Sequence, residues 1–181
     1  ETEIPVSSKK EIVVSFDGNV KNNMKGIISY IGKGKPENEI DVFASSIQDE
    51  FDLSNVFIFD NDDLIYYSEE EPNSWFSYDF KQRKIKLKSY SIKEHGFYNN
   101  AHHIRSWNIE ASNDENEWTI LDSHNNDPTI NECFKVYTFN IKLSEESKKF
   151  YRYIRIRQTG KNSGGNDYLA FSAIEFFGTI L

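Results

Sequence analysis

The sequence predicts an all-β fold, an antiparallel β-sandwich with one short helix near its N-terminus. Short runs that alternate apolar and polar residues recur along the chain, and turns rich in Gly, Asn and Asp separate them. Large rings carry much of the apolar content, with 14 Phe, 10 Tyr and 3 Trp among 181 residues. Such rings fit pleated surfaces better than helix faces, and no regular helical run separates the strands. A chain of this length suits one domain, residues 1–181, which buries ~70% of the surface its unfolded form exposes.

Each element has its own reason. "EIVVSF" reads as a first strand, closed by the Asp-Gly and paired Asn of "DGNVKNN". In "MKGIISYIGKGK", Ile27, Ile28 and Ile31 share one helical face and the following glycines suit a C-cap, so a short helix is predicted. "EIDVFASSI" alternates as a strand. "QDEFDLSN" is an acidic loop, and "VFIF" a short buried strand or a turn. "SWFSYDF" and "KIKLKSYSI" are strands joined by the charged turn "KQRK"; the second sets Lys86, Lys88, Tyr90 and Ile92 on one face. "EHGFYNNAHH" is a long loop. "IRSWNIEAS" and "WTILDS" flank the turn "NDENE", and "FKVYTFNI" follows the loop "HNNDPTINEC". "LSEESKK" is a turn or short helix before "YRYIRIR" and the closing "YLAFSAIEFFG". In "YRYIRIR", Arg152, Ile154 and Ile156 share one face, with the isoleucines inward, while Arg155 and Arg157 face outward toward the surplus acids. Arg152 fits that inward face poorly and belongs at the strand's edge. Trp107 and Trp118 are expected in the core between the sheets, and Trp75 at a rim.

Charge and cysteine content exclude several functions. The net charge is −8, with a sequence pI near 5.1, so nucleic acid would need a concentrated basic face working against the whole-protein field. "GKNSGGND" lacks the Gly-Lys-Ser/Thr ending and following helix of a phosphate loop. Cys133 is the only cysteine, so no intrachain disulfide forms. Together with the absence of an Asn-x-Ser/Thr sequon, this predicts an intracellular, cytoplasmic setting. No signal peptide and no bilayer-length apolar run is evident. There is no Gly-x-Ser-x-Gly elbow, no zinc-spaced Cys/His cluster and no sequence feature that activates Cys133, so a non-enzyme is expected.

The motifs "SWFSYDF", "SWNIEASNDENEWTIL", "YRYIRIRQTG" and "LAFSAIEFFG" occur in the order found in the factor V/VIII type C, or discoidin, domain. The chain resembles that family over residues 40–178, with residues 1–39 as a strand and helix extension packed on it. The resemblance implies the galactose-binding-like jelly roll. It is most similar to the cytoplasmic branch fused to BTB or ubiquitin-ligase modules. Glu115 departs from the usual turn Gly, and the two clamping cysteines of the secreted members are absent.

By that resemblance, ligand-binding loops project from one end of the sandwich, at residues 45–55, 94–103 and 160–168. Rigid scaffolds commonly carry recognition on such loops. The candidate ligand-binding residues are His95, Phe97, Tyr98, Asn100, His103, Asn162, Asn166 and Tyr168. Rings beside amides and imidazoles suit a protein or peptide hot spot, the leading expectation, or alternatively galactose-type carbohydrate. Membrane insertion is not expected, because Asp49, Glu50, Asp52 and Glu94 share these loops and anionic lipid repels them. "FDNDDLIYYS" resembles a structural Ca²⁺ segment in which Asp60, Asp62 and Glu175 would supply hard oxygens. Ile65 and Tyr67 depart from that pattern, and the alternative is a solvated Asx turn beside an ion-paired Glu175. His102 and His103 are adjacent, so on an extended chain they point to opposite faces.

Overall fold

The computed structural model describes residues 10–96 and 102–181. Its strands, numbered in chain order, are β1 (Ile12–Val14), β2 (Asp41–Ala44), β3 (Tyr66–Tyr67), β4 (Trp75–Asp79), β5 (Ile85–Lys93), β6 (Trp107–Ser112), β7 (Thr119–His124), β8 (Val136–Asn140), β9 (Tyr153–Gln158), β10 (Ala170–Phe171) and β11 (Ala173–Ile180). They form a four-stranded sheet in the order β1-β11-β5-β8 and a five-stranded sheet in the order β2-β4-β9-β6-β7. A short β10-β3 ladder lies beside them. Every pairing is antiparallel, as the predicted sandwich requires.

The inward faces interlock. Phe76, Tyr78, Ile154, Ile156, Trp107 and Ile109 come from one sheet, and Tyr90, Ile92, Ile174 and Phe176 from the other; all belong to one buried cluster. Phe176 meets Tyr78 edge-on with ring centroids 5.1 Å apart, the offset geometry that ring quadrupoles favour. Trp107 is fully buried, and its indole N–H donates to the Tyr90 hydroxyl at 2.9 Å. That hydroxyl in turn donates to Asp122 at 2.8 Å, so the two polar tips pair each other instead of remaining orphaned in the core.

Strand β5 changes phase partway along. Its register with β11 slips between Phe177 and Gly178, where Phe177 opposes Ser89 and Gly178 opposes Leu87. Lys88 is the extra residue of this bulge. A bulge inserts one unpaired residue and so swaps the inward parity. Leu87 points to the core before it, and Tyr90 and Ile92 after it. This is how Lys88 and Tyr90 share a parity in sequence while one is exposed and the other buried.

The predicted helix is present as α1 (Ile27–Gly32), with Ile27, Ile28 and Ile31 buried. It ends at Lys33, which adopts the left-handed conformation (φ 45°) in the role expected of a glycine. "VFIF" overlaps a tight 3₁₀ turn over Leu53–Phe57 and is not a strand.

The outer face of the five-stranded sheet corrects one expectation. Trp118 is not in the core; it lies half-buried outside, its indole N–H donating to the Glu115 carbonyl at 2.9 Å. The Arg155 guanidinium sits 3.9 Å from its ring centroid. Glu115 occupies the left-handed turn position (φ 63°) that a glycine usually fills. Glu110 is almost fully buried and accepts from Arg155 Nε at 2.7 Å and from Arg157 Nη2 at 2.6 Å. Arg152, one residue before β9, forks onto both Asp79 oxygens at 2.7 Å. The arginines therefore do partner the acids.

Burial pushes the Glu110 and Asp79 carboxyls up, but hydrogen bonds from Arg157, Arg155 and Asn108 on Glu110, and from Arg152 on Asp79, outweigh it and hold both below the ordinary range. A carboxylate depressed on folding stabilises the protein above its unfolded pKa. That contribution disappears as the pH falls through the folded value. The urea midpoint followed by tryptophan fluorescence should therefore fall as the pH drops below ~4, the unfolded carboxylate range. Glu110→Gln should lose ~3 kcal/mol at neutral pH, because two half-buried guanidinium groups lose their counter-charge. It should also show a shallower acid slope. An unchanged slope in this variant would assign the acid sensitivity elsewhere.

Candidate functional site

The end of the sandwich where Lys93 of β5 meets Ala173 of β11 gathers the segments predicted for recognition. The loop at residues 160–168 is organised around Asn162. Its side-chain oxygen accepts from the N–H groups of Gly164 (3.0 Å) and Asn166 (3.1 Å), and its amide donates to the Tyr168 carbonyl at 3.1 Å. Gly165 supplies the left-handed turn residue (φ 80°). Asn162 is buried, so its work is to shape the loop. The loop is joined to the middle segment because Ser163 N–H donates to the His103 carbonyl at 2.8 Å, and His103 N–H to Ser163 Oγ at 2.9 Å.

The segment at residues 45–55 closes the same end. Gln48 N–H donates to the Tyr67 carbonyl at 3.0 Å, and the Phe51 ring stacks on Tyr67 with centroids 5.8 Å apart. Asp52 caps its turn by accepting from Ser54 N–H at 2.7 Å; hydrogen bonds from Ser54 hold its carboxyl below the usual range.

At the junction of the three segments Tyr67, His102, Asn166 and Tyr168 meet. The Tyr168 ring lies 5.1 Å from Tyr67 and 5.2 Å from His102 between centroids. His102 Nε2 is 2.9 Å from the Asn166 amide nitrogen, and Nδ1 is hydrogen-bonded to the Tyr67 hydroxyl. Burial lowers the His102 pKa, against the pull of Glu70. The neutral ring is then the form at neutral pH, and the network assigns its tautomer: Nε2 accepts from the Asn166 amide, and Nδ1–H donates to the phenol oxygen. The result is a half-buried aromatic plate edged by an amide and an imidazole.

His95 and His103 lie deeper, both essentially buried. They flank the fully buried Glu94, whose Oε1 is 3.0 Å from His95 Nε2 and 3.5 Å from His103 Nδ1. Burial holds the His95 pKa below its ordinary value, against the attraction of Glu94. These two imidazoles underlie the site and do not reach its surface. The chain is not extended at His102, which adopts the left-handed conformation (φ 67°); His102 is half-buried beside Tyr168 whereas His103 is buried beside Glu94. Phe97, Tyr98 and Asn100 lie outside the described residues.

The three predicted calcium donors are not brought together. Glu175 is fully buried, and its two oxygens accept from Ile28 N–H (2.8 Å), Phe176 N–H (2.8 Å), Ser29 N–H (3.0 Å) and Ser29 Oγ (2.8 Å). Its acceptor capacity is spent on α1 and on its own strand. Asp62 pairs instead with Lys93 Nζ at 2.5 Å, and Asp60 is exposed. Among the described residues no group of three His, Cys, Asp or Glu is arranged to hold a metal ion. Nor is any helix among them long and apolar enough to cross a membrane.

Sequence reasoning missed Tyr67, His102 and Phe51 as members of the junction. Phe51 and His102 do lie in the predicted loops at residues 45–55 and 94–103, and for Tyr67 the signal is the aromatic pair in "LIYYS"; their meeting was not legible, since the contacts span loops far apart in sequence.

No protein-family model matches the chain. Among curated proteins, the Drosophila melanogaster E3 ubiquitin-protein ligase Ufd4 is 28% identical over 130 residues, covering 71% of this chain and 5% of the ligase. The Caenorhabditis elegans E3 ubiquitin-protein ligase hecd-1 is 27% identical over 123 residues, 67% of this chain and 4% of that protein. The chain thus spans about a twentieth of the length of these relatives. Among solved structures, the family 32 carbohydrate-binding module of Clostridium perfringens NanJ, in complex with galactose, superposes with a TM-score of 0.60 at 16% identity, covering 78% of this chain and 96% of that one. Another such module, from a family 31 glycoside hydrolase of the same organism, gives 0.62 at 14% identity, over 78% and 92%. The lectin domain of lectinolysin, in complex with Lewis B antigen, gives 0.58 at 14% identity, over 76% and 92%. The fold is therefore the antiparallel β-sandwich that these modules share.

Proposed function

We propose that the chain is a non-catalytic binding module that takes a carbohydrate at its loop end. The observation that carries this reading is the Tyr67–His102–Asn166–Tyr168 junction. A half-buried ring there would stack on the apolar C–H side of a sugar, while the Asn166 side chain, oriented through His102 Nε2, would turn its amide oxygen to a hydroxyl. The shared sandwich with carbohydrate-binding modules and a lectin domain supports the same reading at the level of fold.

A glycan array followed by calorimetry tests it. Tyr168→Ala should weaken binding of a galactose-type hit about tenfold, the loss expected from removing an aromatic anchor. Asn162→Ala should abolish it, because Asn162 holds the loop that presents Tyr168. An array with no hit above background, or a hit indifferent to Tyr168→Ala, would overturn the reading.

A second reading has one observation in its favour. The sequence likeness to two ubiquitin ligases supports a module within a larger intracellular polypeptide that captures a protein segment through the same end. Loop-dependent pull-down of a protein, with an empty glycan array, would select it.

A further inference from the structure

A groove of about 450 Å³ lies on the solvent side of the four-stranded sheet, lined by Lys86 and Gly178 and far from the recognition loops. Its place follows from the register: Gly178 opposes Leu87 in the first half of β5, whereas the loops begin beyond Lys93. Its composition is unlike the rest of the chain. Lys86, Lys88 and Lys148 line it and no carboxylate does, in a protein with 29 acidic and 21 basic residues. Its flanks are apolar, with Val13 69% and Leu143 84% exposed.

The lysines are only lightly engaged. Lys86 Nζ is 3.9 Å from Glu11 and 4.7 Å from the Phe150 ring centroid. Lys148 makes a solvent-exposed pair with Glu145, of a kind worth little in water. Lys88 is exposed at the bulge and has no ion pair among the described residues. The bulge itself accounts for the arrangement, because it turns Lys88 outward while Tyr90 and Ile92 turn in.

We propose that this groove docks an extended acidic protein segment carrying an apolar side chain. The charge selects acidic residues, and exposed Val13 and Leu143 beside the lysines give an apolar side chain of the segment something to cover. A polyanion alone leaves those flanks wet, and no arginine fork for phosphate lines the groove. The edge strand β1 adjoins it, so an extended segment has a backbone edge to lie along. This surface is independent of the loop-end reading.

Fluorescence anisotropy tests the proposal, using a labelled peptide of about eight residues that alternates Glu with Leu, the length an added strand spans. Polyglutamate, a Lys–Leu peptide and a heparin oligosaccharide serve as comparisons. The Glu–Leu peptide should bind and the comparisons should not. Lys88→Glu and Leu143→Ser, both surface changes that leave the melting temperature intact, should each weaken binding about tenfold. Tyr168→Ala should leave it unchanged. Absence of binding, equal binding of polyglutamate or heparin, indifference to both groove variants, or loss on Tyr168→Ala would each overturn the proposal.

Discussion

Glu175→Ala should remove ~4 kcal/mol of stability, since each buried donor left unpaired costs ~1–3 kcal/mol. The residue acts as a helix cap delivered from another element. Gly26, the N-cap of α1, offers no side-chain cap, and the Ile28 and Ser29 N–H groups donate instead to the Glu175 carboxylate of β11. A local Ser or Asp cap has no room: a Cβ on Gly26 would stand 2.2 Å from the Phe176 carbonyl oxygen. The first-turn amides, which every helix leaves without intrahelical partners, are thus satisfied across the fold. Urea unfolding should show the midpoint falling, and amide exchange at Ile28 and Ser29 should accelerate selectively. Glu175→Gln should recover only part of the loss, because its NH₂ faces donors where an oxygen faced them. Asp62→Ala, which removes one exposed partner of Lys93, should cost under ~1 kcal/mol. Equal losses in Glu175→Ala and Asp62→Ala would refute the capping role.

Gly178→Ala should cost ~3 kcal/mol and lower the melting temperature by ~10 °C. The added Cβ would lie 2.1 Å from the Lys86 carbonyl oxygen and 3.1 Å from Lys88 N. These are backbone atoms of the paired strand and cannot rotate away. Relief would require β5 and β11 to separate at the bulge, with loss of ladder hydrogen bonds on both sides. Gly165→Ala is the matched comparison: it also has positive φ (80°), but nothing lies within 4 Å of its Cβ position. Its penalty is conformational strain alone, ~1 kcal/mol. Similar melting temperatures for the two variants would show that the strands yield and that the close approach is not limiting.

The residues show where sequence suffices. Ile154 and Ile156 alternate with Arg155 and Arg157, and that period placed both faces of β9 correctly. Ile27, Ile28 and Ile31 likewise marked the buried stripe of α1. Trp118 went wrong because ring size was read as a core signal, whereas Arg155 draws its ring outward. In β5 the parity shared by Lys88 and Tyr90 conflicts with one continuous strand. The bulge resolves that conflict only through pairing with β11. For the site, Asn166 and Tyr168 stand at the predicted end, but Tyr67 and His102 meet there only through the loops' tertiary approach. Glu175 looked like a metal donor because a carboxylate's chemistry is legible in sequence and its partners are not.

The pairing of β1 with β11 bears on how this sandwich can be carried. Ile12 lies opposite Ile180, so incoming and outgoing chain run side by side. They do so at the Ile85 end of β5, the pole opposite Glu94. Eight residues of β11 separate that pole from the loops around Tyr168, ~26 Å at strand rise. A polypeptide interrupted by this fold would resume its path almost where it left off. Its own architecture would be little disturbed, and the loops would stand outward from it like a sensor on a stalk.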